Sequence, residues 1–316
     1  MSNTQKIMSH TSKPPAPRIG IDLGGTKIAG IVLGHGEIVS AEARRPAPKG
    51  DYLATIEAIA ATVAELEHKA LVGPNAATIG IGMPGCIAPS TGRVQNANST
   101  WLNDKPFKAD LEAKLGRPVR LANDANCFVL SEATDGAAAG VGTVFGVIVG
   151  TGCGGGIAVD GRLVDGPRAI AGEWGHTPLP WMNADEFDKT QCWCGHKGCI
   201  ETWISGTGLA RDHQRHTGAD CSCEEIMVAA QRDDPAACAT LERHASRFAR
   251  GLALICNILD PQVIVLGGGL SQLQHLYAVL PSLMAPYVLA SDTKVDVRPP
   301  KWGDASGVRG AARLWA

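Results

Sequence analysis

The sequence predicts an α/β chain of two similarly built lobes. Three observations carry this. "RIGIDLGGTKIAGIVL" (Arg18–Leu33) reads as strand, glycine turn, strand, with Ile19, Ile21 and Leu23 alternating at period two. "VFGVIVGTGCGGGIAV" (Val144–Val159) repeats the plan. Between and after these hairpins, segments of helical period lead into short apolar strands that end in glycine. A length of 316 residues also favours two cores over one.

Residues 1–17, "MSNTQKIMSHTSKPPAP", are polar and end in prolines, so a disordered tail is expected, with no apolar segment of a signal peptide. The first hairpin opens a small lobe spanning 18–122. In Asp51–His68, Leu53, Ile56, Ile59, Val63 and Leu66 recur on one helical face. "VRLANDANCFVLSEA" (Val119–Ala133) runs from strand into helix. A large lobe over 123–304 follows, with a helix at about 305–316 expected to pack back on the small lobe. In Ala236–Leu259, Leu241, Ala245, Phe248, Leu252 and Ile255 form a second helical face. Pro261 ends that helix, Val263–Leu266 form a buried strand and Gly267–Gly269 its exit turn.

Net charge is −2, the sequence has no long basic run and no apolar run approaches about 20 residues, so bulk nucleic-acid binding and membrane spanning are not expected. Without an export signal the ten cysteines should be reduced thiols or metal ligands in a cytoplasmic protein.

Three glycine turns follow strands: Asp22–Lys27, Gly150–Gly155 and Gly267–Gly269. Backbone N–H groups in such turns can surround phosphate oxygens. The candidate donors are Gly24, Gly25, Thr26, Lys27, Gly150, Thr151 and Gly152, with Gly267, Gly268 and Gly269 in the third turn. Asp22 beside a phosphate makes sense with a bridging Mg²⁺. "GTGCGG" also fits the dinucleotide pattern GxGxxG. Such a turn should open a helix, whereas this one leads into "GIAV", which reads as strand. At the strand–helix junction, Asn123, Asp124 and Asn126 exceed what helix capping needs. Phosphoryl transfer to an alcohol requires a carboxylate that accepts the hydroxyl proton. Asp124 is the candidate, with Asn123 orienting the acceptor. Gly85 could bring backbone near a ring, and Asn98 and Asn103 are polar candidates on a loop that Trp101 is expected to anchor.

"GEWGHTPLPWMNADEFDKTQCWCGHKGCIETW" (Gly172–Trp203) holds His176, Cys192, Cys194 and Cys199 at H-x15-C-x-C-x4-C. Three thiolates and an imidazole suit a closed tetrahedral, structural zinc site. His196 lies inside the cysteine cluster as a competing ligand. Cys221 and Cys223 read as exposed loop thiols, and His213, His216 and His244 as solvated helix positions.

"IGIDLGGTKIAGIVL", "GIGMPGCI", "LANDANC", "GTGCGGGI", "GEWGH" and "CWCGHKGCIE" together resemble the ROK family of sugar kinases and regulators, over nearly everything after the tail. "NANSTWLND", "GEWGHTPLPWM" and "ETWISGTG" look most like its bacterial fructokinases that also accept mannose. The resemblance implies a two-lobed actin-like (ribonuclease H-like) fold with an interlobe cleft, ATP and a hexose as ligands, and Asp124 as base. It also implies His176 rather than His196 on zinc, and sugar contacts from Glu173, His176, Glu201 and Asn98. The expected reaction is phosphorylation of a hexose 6-hydroxyl, fructose first. N-acetylglucosamine, glucose, mannose or N-acetylmannosamine are the alternatives. A homodimer is expected. A family regulator would carry a helix-turn-helix module ahead of the lobes, and only 17 residues precede the first strand here.

Overall fold

The computed structural model describes residues 16–316. The expected tail over 1–17 otherwise lies outside the described residues. The chain opens with an antiparallel meander of β1 (Arg18–Leu23), β2 (Lys27–Leu33) and β3 (Val39–Pro46). Helix α1 (Tyr52–Lys69) crosses to β4 (Thr78–Met83), which pairs parallel with β1. A small hairpin, β5 (Cys86–Ile87) and β6 (Val94–Gln95), and α2 (Phe107–Leu115) precede β7 (Val119–Asn123). That strand lies parallel to β4, so the first sheet runs β3-β2-β1-β4-β7.

Helix α3 (Asp124–Thr134) follows β7 directly, and the plan then repeats. Strands β8 (Thr143–Val149), β9 (Cys153–Val159) and β10 (Arg162–Leu163) form the second meander. After the irregular 172–200 segment come α4 (Glu201–Ile204), α5 (Gly206–Thr217), α6 (Cys223–Ala230) and α7 (Pro235–Leu259). Strand β11 (Val263–Gly267) pairs parallel with β8, then α8 (Gln274–Met284), β12 (Val297–Arg298) and α9 (Ser306–Arg313) complete the chain. The second sheet runs β10-β9-β8-β11-β12, the same order and directions as the first. This is the two-lobed actin-like architecture, and both glycine-tipped hairpins occupy equivalent places in it.

Local chemistry sets the helix limits. Asp51 caps α1 by accepting from the Ala54 N–H at 2.9 Å. Ile56, Ile59, Val63 and Leu66 of α1 are buried, whereas Leu53 is 70% exposed and lies off the packed face. Asp234 caps α7 and Pro235 begins it, while Asp260 ends it in the left-handed region at φ 48°. Full burial of side chains such as Phe248, Trp203 and Phe107 stabilises each core by roughly 2–3 kcal/mol per residue.

Two helices occupy the space between the sheets. Helix α9 lies on β1 and β4, α3 lies on β8 and β9, and the two helices pack on each other. Their closeness requires glycine. A Cβ on Gly80 of β4 would sit 1.8 Å from the Ala311 carbonyl oxygen, and one on Gly310 would sit 1.7 Å from that of Cys127.

Two expectations about histidines fail. His213 and His244 are buried, because they lie where α5 and α7 face each other. His213 Nδ1 meets Thr240 Oγ1 at 3.0 Å, and His244 Nε2 donates to the Ile204 carbonyl at 2.8 Å. Burial pushes His244 down to about 4, so it stays neutral. Cys223 is the first residue of α6 and half-buried, and Cys221 is half-buried beside it, so neither is a freely exposed loop thiol. Among the described residues, no helix is long and apolar enough to cross a membrane.

Candidate functional site

The first two sheets' meeting point forms a cleft of about 270 Å³. Strand β7 delivers Asn123 and α3 begins at Asp124, so both sit at the carboxyl end of the first sheet. Asn123 does the capping: its Oδ1 accepts from the Ala125 N–H at 2.9 Å, and its Nδ2 donates to the Gly85 carbonyl at 3.2 Å. Asp124 Oδ1 also accepts from Ala125 N–H at 2.8 Å. Burial raises the Asp124 carboxyl above its ordinary value, with that backbone hydrogen bond opposing.

Gly85, Asn98, Asn123, Asp124, Glu173, His176 and Glu201 all line this one cleft, together with Gly150, Thr151 and Gly152 of the second hairpin turn. Asn103 does not. Its carboxamide accepts from the Ala97 N–H and donates to the Ala97 carbonyl, both at 2.9 Å, which fixes the loop carrying Asn98. Glu173 is raised by burial, opposed by His176 and reinforced by the charges of Asp124 and Glu201. Glu201 is held at both oxygens: Oε2 accepts from the Cys153 N–H and Oε1 from the Trp193 indole N–H, each at 2.9 Å.

The Asp22–Lys27 turn stands beside the cleft rather than in its wall. The Gly24 N–H donates to the Lys27 carbonyl at 3.0 Å, leaving Gly25, Thr26 and Lys27 exposed. Burial, and then the Asp124 charge, push Asp22 up to about 6. Gly267–Gly269 are also outside this cavity. A Cβ on Gly267 would lie 2.5 Å from the Phe128 ring, so that glycine makes room for α3, while Gly268 turns the chain at φ 79°. Sequence reasoning missed Trp193, Asn96, Pro84 and Ile148 as lining residues. Trp193 was hidden because the cysteines on either side of it carry the metal-ligand spacing.

One ligand atom each from His176, Cys192, Cys194 and Cys199 lies within 4.8 Å of every other. Cys192 Sγ is 3.5 Å from His176 Nδ1, and the Cys194 and Cys199 sulfurs are 3.6 Å apart. Tetrahedral Zn–S bonds of about 2.3 Å separate ligand sulfurs by about 3.8 Å, so the residues fit a zinc ion. His196 Nδ1 also approaches Cys194 Sγ at 3.5 Å.

A buried ion network anchors this segment. Glu186 accepts from Arg247 Nε at 2.8 Å and Arg250 Nη2 at 2.7 Å, and Arg250 Nη1 donates to the Trp181 carbonyl at 2.7 Å. Burial alone would raise Glu186, but the two guanidinium groups hold it at about 2.

Two ribonuclease H-like lobes with a carboxylate in the cleft between them place the chain in the class of two-lobed actin-like proteins. The chain belongs to the ROK family, whose sequence profile matches residues 18–316. It is a sugar kinase by its relatives. It is 38% identical over 299 residues to an N-acetyl-D-glucosamine kinase of Shigella flexneri serotype 5b, covering 93% of this chain and 98% of that protein. The crystal structure of a ROK hexokinase from Thermus thermophilus superposes with a TM-score of 0.81 at 32% identity, covering 94% of this chain and 96% of that one. A ROK glucokinase from Streptomyces griseus, solved with glucose and AMPPNP, gives 0.77 at 27% identity, covering 94% and 98%. These relatives favour the aldohexose alternatives over the fructose expectation.

Proposed function

We propose that this kinase transfers the γ-phosphoryl group of ATP to the 6-hydroxyl of N-acetylglucosamine. The observation that carries the transfer reaction is the half-buried, desolvated Asp124 at the head of α3, in a cleft whose wall includes a glycine turn. Asp124 accepts the hydroxyl proton as the O6–phosphorus bond forms and the bond to ADP breaks. Its raised affinity for protons suits a base. Thr151 and Gly152 present N–H and hydroxyl donors to the phosphates, Gly150 closes the turn by donating its N–H to the Gly152 carbonyl at 3.0 Å, and the Asp22–Lys27 turn offers donors from the other lobe. A Mg²⁺ ion would neutralise phosphate charge, held toward Asp22 through water. Gly267–Gly269 flank the adenosine. Glu173, His176 and Glu201 grip sugar hydroxyls, with Gly85, Asn98 and Asn123 facing them.

Zinc in this reading is structural. His176, Cys192, Cys194 and Cys199 would hold it, and the ion would fix Glu173 and Glu201, which lie three and two positions from ligands. Water exclusion on lobe closure directs the phosphoryl group to the sugar.

The choice of N-acetylglucosamine rests on the relative that is 38% identical across nearly both chains. Fructose is the second reading, resting on the likeness of "NANSTWLND", "GEWGHTPLPWM" and "ETWISGTG" to bacterial fructokinases. The test is ADP release from ATP and Mg²⁺ with N-acetylglucosamine, glucose, mannose, N-acetylmannosamine and fructose. Best turnover with N-acetylglucosamine is expected. Best turnover with fructose would reverse the substrate assignment, and no turnover from folded, zinc-loaded protein would overturn the kinase mechanism.

A further inference from the structure

Trp193 is the one large aromatic side chain in the cleft wall that the mechanism above leaves without a role. It sits between two candidate zinc ligands, yet its side chain is 59% exposed. An indole left this open is held by something. Its N–H donates to Glu201 Oε1 at 2.9 Å, and its ring meets the His176 ring edge-on with centroids 4.8 Å apart. Both contacts hold the indole at a fixed angle, so the exposed surface is preorganised.

The cleft has a direction. The reacting 6-hydroxyl belongs at Asp124. A Cβ on Gly154 would meet Ala125, next to Asp124, at 3.2 Å, whereas one on Gly152 would meet Glu201 Oε2 at 2.8 Å, so Asp124 and the Glu201–Trp193–His176 group face different points of the same turn. A pyranose with its C6 at Asp124 therefore points its C1–C2 end toward His176, Glu201 and Trp193. A hydroxyl at that end can be met by the carboxylate or the imidazole. An acetamide at C2 adds a methyl group that neither can use, and the indole is the apolar surface within reach.

We propose that Trp193 is the specificity residue for the C2 substituent, its indole covering the acetamide methyl of a 2-acetamido sugar. This rests on the N-acetylglucosamine reading above and adds which residue recognises the group that distinguishes that sugar from glucose. Glucose and N-acetylglucosamine share every centre from C3 to C6, so their ratio of kcat/KM reports on C2 alone.

The test measures that ratio for the wild-type enzyme and for Trp193→Ala and Trp193→Phe, with zinc content determined on each sample. Trp193→Ala should lower kcat/KM for N-acetylglucosamine about tenfold more than for glucose, mainly through KM. Trp193→Phe keeps an apolar ring but loses the hydrogen bond to Glu201. It should keep most of the wild-type ratio while slowing both sugars alike. A ratio unchanged in Trp193→Ala overturns the proposal and leaves Trp193 only as a support for Glu201. Loss of zinc together with equal loss for both sugars overturns it as well. If the wild-type enzyme turns over glucose but not N-acetylglucosamine, the substrate reading has failed first and takes this inference with it.

Discussion

Asp22 illustrates what a single residue carries. It is placed against Asp124 and the first turn of α9, where a Cβ on Gly307 would lie 3.7 Å from its carboxylate. Its value rises from 3.8 to about 6. The folded state therefore holds the proton more tightly than the unfolded chain, so stability falls as pH climbs from 3.8 to about 6. The cost is about 3 kcal/mol at the top of that window. Asp22→Asn should thus raise the melting temperature of the ligand-free enzyme, more at pH 7.5 than at pH 5 by scanning calorimetry. The same variant should weaken the Mg²⁺–nucleotide complex, whose affinity in the wild-type enzyme should decline as pH drops through about 6. A pH-independent nucleotide KM in the wild-type enzyme would remove Asp22 from the metal. Asp124→Asn keeps the size and the helix start while removing the base. It should lower kcat about 10³-fold with sugar affinity retained, as read by single-turnover assays beside calorimetric titration. Retained turnover would assign the proton to another group.

At the scale of elements, the zinc segment and the helix pair obey different rules. The segment over 172–200 has little regular structure, so its shape depends on the proposed ion and on Glu186 with its two arginines. Cys199→Ser should take the metal content from about one zinc per chain to near zero. It should lower the melting temperature and raise the sugar KM together, because Glu201 follows two positions later. Metal-free wild-type protein with full sugar affinity would detach the segment from the site. Both glycine-tipped hairpins, the strand before Gly267 and the Cys/His spacing were legible, because each rests on neighbours in sequence. The arginine network was not, since Arg247 and Arg250 read as the polar residues of an amphipathic helix, and only the fold brings Glu186 to them. His244 escaped for the same reason: a histidine at a helix crossing has the sequence surroundings of an exposed one. Leu53 erred in the other direction, since periodicity cannot say where along a helix its packed face begins.

For the molecule as a whole, the lobes are joined where α3 meets α9. Glu132, fully buried in α3, accepts from Ser306 Oγ at 2.6 Å and from the Lys301 N–H at 3.0 Å, which ties the large lobe to the start of α9. Arg313 of α9 reaches Glu37, between β2 and β3, and Asp135, at the end of α3, each at 2.6 Å. One guanidinium thus joins both lobes. Burial alone would raise Asp135, but the hydrogen bond from Arg309 and the charges of Arg313 and Arg309 hold it below its ordinary value. Replacing Arg313 by Met keeps its length and leaves Asp135 to Arg309 and Glu37 to Arg18. Truncating one member of a buried pair costs about 3–5 kcal/mol when its partner is left uncompensated, and the remaining arginines and partial exposure of both carboxylates put this case below that range. Urea unfolding of Arg313→Met should show that loss as a lower midpoint. If α9 is the pivot on which the lobes close, the variant should also protect bound nucleotide less well from water. Its ratio of ATP hydrolysis to sugar phosphorylation should then rise several-fold in assays that count ADP and sugar phosphate separately. A lower urea midpoint with an unchanged ratio would make the Arg313 cluster a structural bolt and put the pivot elsewhere.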